Sequence, residues 1–285
     1  MTVSLMEAPE LNTWLERVFL PGSIVDARTR AEFDAGHIPF AVHVDWEEWN
    51  DRPPRGVKLE LWEPGYWGAL KNPWNGNFSE RLSQLGLRND KPIVVYADGL
   101  KSKGREGRIA WMLLYLGASR VYILNGGWSA WLQAGGDTER IETCRFDGNF
   151  QIVPDSRRRV DMKKLINSCG SSEKFHAIDT RTADEFVGKS YEYQARTGHL
   201  PGALRVGYEE LFDGDQRFVD SSKFFEIFPP HVANSQSAFT YCEVGVRAST
   251  YALLVEVYTG RVLPVYDASI MEWGIYRDLP ILKLA

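Results

Sequence analysis

The stretch with the clearest chemistry is Phe239-Thr240-Tyr241-Cys242-Glu243-Val244-Gly245-Val246-Arg247-Ala248-Ser249, in which a thiol opens a short loop and a guanidinium closes it. The apolar run Ala238 to Tyr241 predicts a buried strand. Ala248, Tyr251, Ala252, Val255 and Tyr258 recur at the spacing of an amphipathic helix from Ala248 through Val257. A strand-to-helix turn aims the first N–H groups of the helix, and the positive end of its dipole, into the loop. A sulfur over those donors is favoured as its thiolate, the nucleophilic form. Gly245 lets the loop curl with no Cβ in the way, and Arg247 adds a cation at the rim. The competing reading is a buried structural cysteine, since free cysteine is among the most buried residue types. The glycine and the arginine favour the reactive one.

The elements that must position this loop occur twice. Ile24-Val25-Asp26-Ala27-Arg28-Thr29-Arg30-Ala31-Glu32-Phe33 recurs as Ala177-Ile178-Asp179-Thr180-Arg181-Thr182-Ala183-Asp184-Glu185-Phe186. Gly36-His37-Ile38-Pro39 recurs as Gly198-His199-Leu200-Pro201, after extra residues from Lys189 to Arg196 that read as a surface loop. Pro92-Ile93-Val94-Val95-Tyr96 matches the strand ending at Tyr241. Ile109 to Leu116, stopped by Gly117, matches the helix stopped by Gly260. Gly126-Gly127-Trp128-Ser129-Ala130-Trp131 aligns with Ala268-Ser269-Ile270-Met271-Glu272-Trp273. A fixed order of paired elements marks a duplicated domain.

Each copy alternates strands and helices, so the expected fold class is α/β: two tandem domains, each a mostly parallel central sheet flanked by helices. In the first copy the strands fall at Ile24-Val25-Asp26, Ala41-Val42-His43-Val44, Ile93 to Tyr96 and Val121-Tyr122-Ile123-Leu124. Helices are predicted over Arg30 to Ala35, over Asn77 to Leu85 with Ser79 as N-cap and Gly86 as C-cap, and over Trp128 to Ala134. The domains are expected at 8–140 and 160–285. The join includes Gly135-Gly136-Asp137 and the basic run Arg157-Arg158-Arg159, which reads as solvated linker.

The bulk properties set limits. At 285 residues the chain has room for two cores. It is 44% hydrophobic and 25% charged, with a formal net charge of -5, which gives no support for nucleic acid as a partner. No apolar run reaches the length of a membrane span, and the start, Met1-Thr2-Val3-Ser4-Leu5-Met6-Glu7, lacks the features of a signal peptide. The three cysteines, Cys144, Cys169 and Cys242, are odd in number and irregular in spacing, against a disulfide framework or a zinc site. A reduced, cytoplasmic setting follows as the expectation, with Cys144 and Cys169 as bystanders.

The paired Asp-x-Arg, Glu-Phe and Gly-His-[Ile/Leu]-Pro elements, with the Cys242 loop and its helix, resemble the rhodanese family over nearly the whole chain. The arrangement is similar to its tandem-domain sulfurtransferases, which include thiosulfate and 3-mercaptopyruvate enzymes. That resemblance implies a catalytic C-terminal domain and an inactive N-terminal one. The position of Cys242 is Ala97 in the first copy, and an alanine cannot carry sulfur. The implied mechanism is a two-step transfer: the Cys242 thiolate takes the outer sulfur of a small anionic donor as a persulfide. Cyanide, a thiol or a protein acceptor then removes it. The loop Glu243, Val244, Gly245, Val246 and Arg247 would bind substrate and stabilise the persulfide, and no metal or organic cofactor is required.

Departures from the family narrow the donor. Mercaptopyruvate enzymes resemble Cys-Gly-Ser-Gly-Val-Thr in this loop. Glu243 and Val244 stand here instead, so the hydroxyl of a Ser-His-Asp relay with His37 is missing. Glu185 occupies the place of one donor-gripping arginine, and Arg196 lies near a second. Thiosulfate or a persulfide is therefore the expected donor, with mercaptopyruvate second. Two other classes compete. A phosphatase or arsenate reductase needs Cys-x5-Arg around a tetrahedral anion, whereas four residues separate Cys242 from Arg247. A persulfide carrier for a protein partner would look the same in sequence.

Other stretches have structural expectations. Asp26 with Arg28, Asp179 with Arg181, and both His37 and His199 occur in each copy, and so read as structural. Lys101-Ser102-Lys103-Gly104-Arg105-Glu106-Gly107-Arg108 stands where the first copy's loop should be, two residues longer, and reads as an exposed loop that could guide anionic donors. Trp46, Trp49, Trp62, Trp67 and Trp74 fill an insertion with Pro53-Pro54, Pro64 and Pro73. It reads either as an apolar lid over Cys242 or as an irregular, aromatic-anchored extension. Two domains in one chain make a monomer the simplest expectation, and light scattering at twice 32.4 kDa would contradict it.

Overall fold

The computed structural model describes residues 1–17, 23–141, 148–169, 176–189, 194–229 and 235–284. It contains two compact units, and they do not follow the halves of the chain. One comprises Met1–Trp49, Asn72–Asp155 and Phe212–Phe218. The other comprises Asn50–Lys71, Ser156–Leu211 and Val219–Ala285. The tryptophan-rich insertion is thus divided: buried Trp46 and Trp49 belong to the first unit, and buried Trp67 to the second.

The first unit is built on five strands, β1 (Thr2–Met6), β2 (Ile24–Asp26), β3 (Ala41–His43), β4 (Ile93–Tyr96) and β5 (Arg120–Leu124), in the order β1-β5-β4-β2-β3. Every pairing is parallel. Parallel strands are covered on both faces, which is why Ile24-Val25-Asp26 and Ile93-Val94-Val95-Tyr96 are buried throughout. The core gathers Leu11, Phe33, Ile38, Val94, Tyr96 and Trp131.

The second unit repeats the plan in reduced form. Strands β6 (Ala177–Asp179), β7 (Leu204–Arg205) and β8 (Phe239–Tyr241) pair in parallel in the order β7-β6-β8. Single parallel bridges Thr240–Val265 and Arg159–Val265 stand where the first unit has β5 and β1. Its core gathers Leu200, Phe239, Tyr241, Tyr266, Ile270 and Trp273.

The repeated residues make repeated bonds. Asp26 receives Arg28 Nε at 3.0 Å and Nη2 at 2.6 Å. Asp179 receives Arg181 Nε at 2.9 Å and Nη2 at 2.6 Å. Each arginine also donates to the carbonyl of the glycine before the histidine, Gly36 or Gly198, at 2.7 Å. Both pairs are buried, and a buried ion pair largely offsets its own desolvation cost, so their value lies in fixing the loop after the strand. His37 and His199 stack on Phe33 and Phe186 and meet those residues' carbonyls through Nδ1 at 3.0 and 2.8 Å. Trp131 and Trp273 are fully buried and donate Nε1 to Asp137 and Pro280 carbonyls at 2.9 Å. Thr29 with Glu32, and Thr182 with Glu185, form matching capping boxes at helix starts.

Four expectations are corrected. Ser79 does not cap its helix: Phe78–Gln84 begins after Asn77, and Ser79 Oγ donates instead to the Phe150 carbonyl at 2.5 Å. The helix read from Ile109 begins at Arg105, with Arg108 buried over the rings of Trp111 and Trp46 at 4.9 and 5.9 Å, so half of the supposed exposed loop is core. Arg157-Arg158-Arg159 is not simply solvated. Arg158 is buried in a bidentate pair with Glu256, and Arg159 donates to Asp267 at 3.0 Å. The helix Val246–Thr259 is not amphipathic at its start; nearly every residue from Val246 to Val255 is buried. Cys144 and residues 190–193 of the extra loop lie outside the described residues, and no helix among those described is long and apolar enough to cross a membrane.

Candidate functional site

Strand β8 delivers Cys242 immediately after Tyr241, and the helix Val246–Thr259 starts four residues later. The thiol is 1% exposed. The amide of Gly245 donates to Cys242 Sγ at 3.1 Å, which is the loop N–H on sulfur that the strand-loop-helix order implies. Gly245 holds φ +79° as the helix N-cap, and a Cβ there would lie 2.4 Å from the Asp267 carbonyl oxygen. The left-handed turn and the close approach both require glycine.

The loop is tied on its other sides. Cys242 N donates to Ser269 Oγ at 3.1 Å, and Ser269 Oγ donates to the Tyr266 carbonyl at 2.7 Å. The carbonyls of Cys242 and Glu243 receive the Ile270 and Met271 amides at 3.3 Å, so the helix Ser269–Ile275 begins on the loop. Ser269 has φ +57°, an uncommon conformation for a residue with a Cβ. Ser249 Oγ donates to the Gly245 carbonyl at 2.7 Å. Against Val244 lies Gly68: a Cβ on Gly68 would be 1.8 Å from the Val244 carbonyl oxygen. The inserted segment therefore backs the cysteine loop within its own unit, with Leu70 N donating to Asp267 Oδ2 at 2.7 Å.

Arg247 is held by carboxylates. Its Nη1 and Nη2 donate to Glu185 Oε2 and Oε1 at 2.8 and 2.7 Å, and Nη2 also stands 3.5 Å from Glu243 Oε2. Burial pushes Glu185 up, but the bonds from Arg247, reinforced by Thr182, outweigh it and hold the carboxyl at about 2. Burial pulls Arg247 down, and Glu185, the Cys242 charge and Glu243 together raise it. Glu185 was expected to mark a lost arginine; it is the counter-ion of the loop's own arginine.

Arg196, expected near the donor, is committed elsewhere. Its guanidinium donates to the carbonyls of Gly274 at 3.0 Å and Tyr276 at 2.6 Å, closing the end of the helix Ser269–Ile275. Cys242 meets the start of that helix, so about 10 Å of helix separates the two at 1.5 Å per residue. Arginine suits this place because the last carbonyls of a helix lack partners. Among the described residues no group of three or more His, Cys, Asp or Glu is placed to hold a metal ion.

The first unit shows what the same frame does without the thiol. Ala97 follows β4, and Gly104, φ +95°, opens the helix Arg105–Leu116 as Gly245 opens its own. Six residues (98–103) lie between Ala97 and Gly104, against two (243–244) in the second unit, so the loop is longer than its sequence suggested. At the position of Arg247 stands Glu106, buried and bonded by Ser102 Oγ, with Oε1 unpaired. Gly127, φ +54°, stands in the place of Ser269, and the Trp128 amide donates to the Ala97 carbonyl at 2.7 Å as Ile270 does to Cys242. Alignment of the two copies thus held a signal for Ser269: a glycine in one copy faces a serine in the other.

Burial raises Glu106 from 4.5 to about 7. The folded chain then keeps a proton that the unfolded chain has released, so stability falls as pH rises through that window. Glu106→Gln is expected to gain on the wild type across it, by about 3 kcal/mol at the alkaline end at 1.36 kcal/mol per unit. Urea melts of both proteins from pH 4 to 8 test this; profiles that stay parallel would contradict it.

The description Rhodanese-like domain matches residues 7–134 and again 160–276. The thiosulfate sulfurtransferase of Corynebacterium glutamicum is 27% identical over 260 residues, covering 87% of this chain and 80% of that protein. The sulfur carrier protein TtuD of Thermus thermophilus is 24% identical over 264 residues, covering 88% and 87%. Among solved structures, the anaerobic ergothioneine biosynthesis enzyme of Chlorobium limicola superposes with a TM-score of 0.79 at 19% identity, over 99% of this chain and 70% of that one, a likeness of fold.

Proposed function

Because the chain belongs to the rhodanese family, we propose that it is a sulfurtransferase that carries sulfane sulfur on Cys242. The observation that supports this most is the Gly245 amide aimed at Cys242 Sγ, at the mouth of a loop whose copy in the first unit has alanine in place of the thiol. In the first half-reaction the thiolate attacks the outer sulfur of the donor. A sulfur–sulfur bond forms on Cys242, the donor's own sulfur–sulfur bond breaks, and the electron pair leaves with sulfite or a thiolate. In the second, cyanide or a thiol takes the outer sulfur and the pair returns to Cys242. The Gly245 N–H steadies the sulfur anion in both, as a fixed donor does for an oxyanion. Glu243, Val244 and Val246 shape the loop, and Arg247 balances its charge.

The relatives named thiosulfate sulfurtransferase support thiosulfate as a donor, and a persulfide offers the thiolate an outer sulfur of the same kind. Mercaptopyruvate comes second, because Val244 puts no hydroxyl beside the thiol. A carrier role toward a protein thiol is the alternative reading, favoured by the likeness to the sulfur carrier protein TtuD. Arsenate and phosphate esters fit less well, since the guanidinium that would clasp a tetrahedral anion is bonded to Glu185. The cytoplasm is the proposed setting, as reduced thiols require.

Initial rates with a varied sulfur donor at several cyanide concentrations test the proposal. Parallel double-reciprocal lines are expected for a covalent intermediate. Intersecting lines, or hydrolysis of an aryl phosphate in place of sulfur transfer, would contradict it.

A further inference from the structure

We propose that Glu185 and Glu243 spend the charge of Arg247, and that Cys242 therefore takes sulfur from a persulfide of low charge in preference to a compact dianion such as thiosulfate. This rests on the sulfur-transfer reading above and names its donor class.

Both terminal nitrogens of Arg247 donate to the two oxygens of Glu185, at 2.8 and 2.7 Å. A planar guanidinium grips a sulfonate or carboxylate through that same two-pronged face, and here the face is occupied. The pair is fixed: the Glu185 side chain is 6% exposed, and Thr182 holds its Oε2 from the backbone at 2.9 Å and from the hydroxyl at 2.8 Å. Glu185 stays ionised at any working pH, being held at about 2. Glu243, the residue after the nucleophile, adds a second carboxylate 3.5 Å from the same guanidinium. One cation thus faces two carboxylates before the thiolate is counted. Two further arginines of this unit are also matched: Arg181, whose charge acts on Glu185, is paired with Asp179, and Arg159 is bonded to Asp267 and the Leu70 carbonyl.

Like charges at a rim act on specificity and encounter more than on the bond-making itself. A dianion approaching Cys242 meets net negative charge, whereas a persulfide R–S–SH brings none beyond its sulfur. The thiolate attacks the outer sulfur of R–S–SH. The new bond forms on Cys242 as the R–S–S bond breaks, the electron pair leaves on R–S⁻, and the proton stays on the transferred sulfur.

The test compares kcat/KM for thiosulfate and for the persulfide of N-acetylcysteamine, which carries no charge but that of its sulfur. Glu185→Gln keeps the helix-start geometry, because glutamine serves at the third position of a capping box, and removes the charge and one of the two acceptors that face Arg247. The ratio of thiosulfate to persulfide is expected to rise about tenfold in this variant. Glu243→Gln is expected to move it the same way by less. With no variant at all, kcat/KM of the wild type for thiosulfate should increase from low to physiological ionic strength, as screening weakens repulsion. An unchanged ratio in both variants, or a thiosulfate rate that falls with salt, would overturn the proposal. A wild type that takes sulfur from neither donor would overturn the proposed function, and this inference with it.

Discussion

Cys242→Ser is expected to lower sulfur transfer by a factor on the order of 10⁴ or more, as removal of a nucleophile does elsewhere, while leaving the fold intact. Serine fits because the thiol sits in a tied loop. The Gly245 amide can donate to Oγ as it does to Sγ, and the amide of residue 242 keeps its bond to Ser269. A hydroxyl is a poor nucleophile without a base beside it, and among the described hydrogen bonds no histidine reaches the loop. Turnover with thiosulfate and cyanide, alongside a thermal melt, gives the result. A serine variant with normal turnover would remove Cys242 from the chemistry.

The second large effect belongs to Gly245→Ala. The native φ of +79° costs an alanine about 1–2 kcal/mol, and its Cβ would meet the Asp267 carbonyl at 2.4 Å. Backbone that must shift there carries the very amide that bonds the sulfur. Transfer is expected to fall about a hundredfold, in the range lost when one fixed donor to a developing anion is removed, with a lower melting midpoint. The same variant tested in the first unit, Gly104→Ala at φ +95°, should cost stability and leave transfer unchanged. Equal losses of transfer from the two glycines would contradict the account.

The architecture was legible because duplication places the same residues under the same strain twice. Asp-x-Arg, the Thr…Glu capping boxes, Gly-His on Phe and the buried tryptophans each make one bond pattern in both units, so the repeat in the letters was already a repeat in contacts. The cysteine loop was legible for a similar reason: strand, thiol, glycine and helix are local features.

What escaped is long-range. Arg247 and Glu185 lie 62 residues apart, and nothing local says that one answers the other. Asn50–Lys71 sits in sequence among first-unit elements but packs in the second, because a loop's composition does not encode which sheet it covers. Arg108 and Arg158 looked solvated since arginine is rarely buried, yet Trp111 and Glu256 take them in. Arg196 followed a family position in sequence and was placed by folding on a helix end instead.

The most direct measurement is intact mass of the wild-type protein after incubation with a sulfur donor, then after cyanide, with Cys242→Ser beside it. One added sulfur atom on the wild type, located to the peptide bearing Cys242 and removed by cyanide, is the predicted result. Sulfur added equally to the serine variant, or none added by thiosulfate or by the persulfide, would contradict the claim that Cys242 carries it.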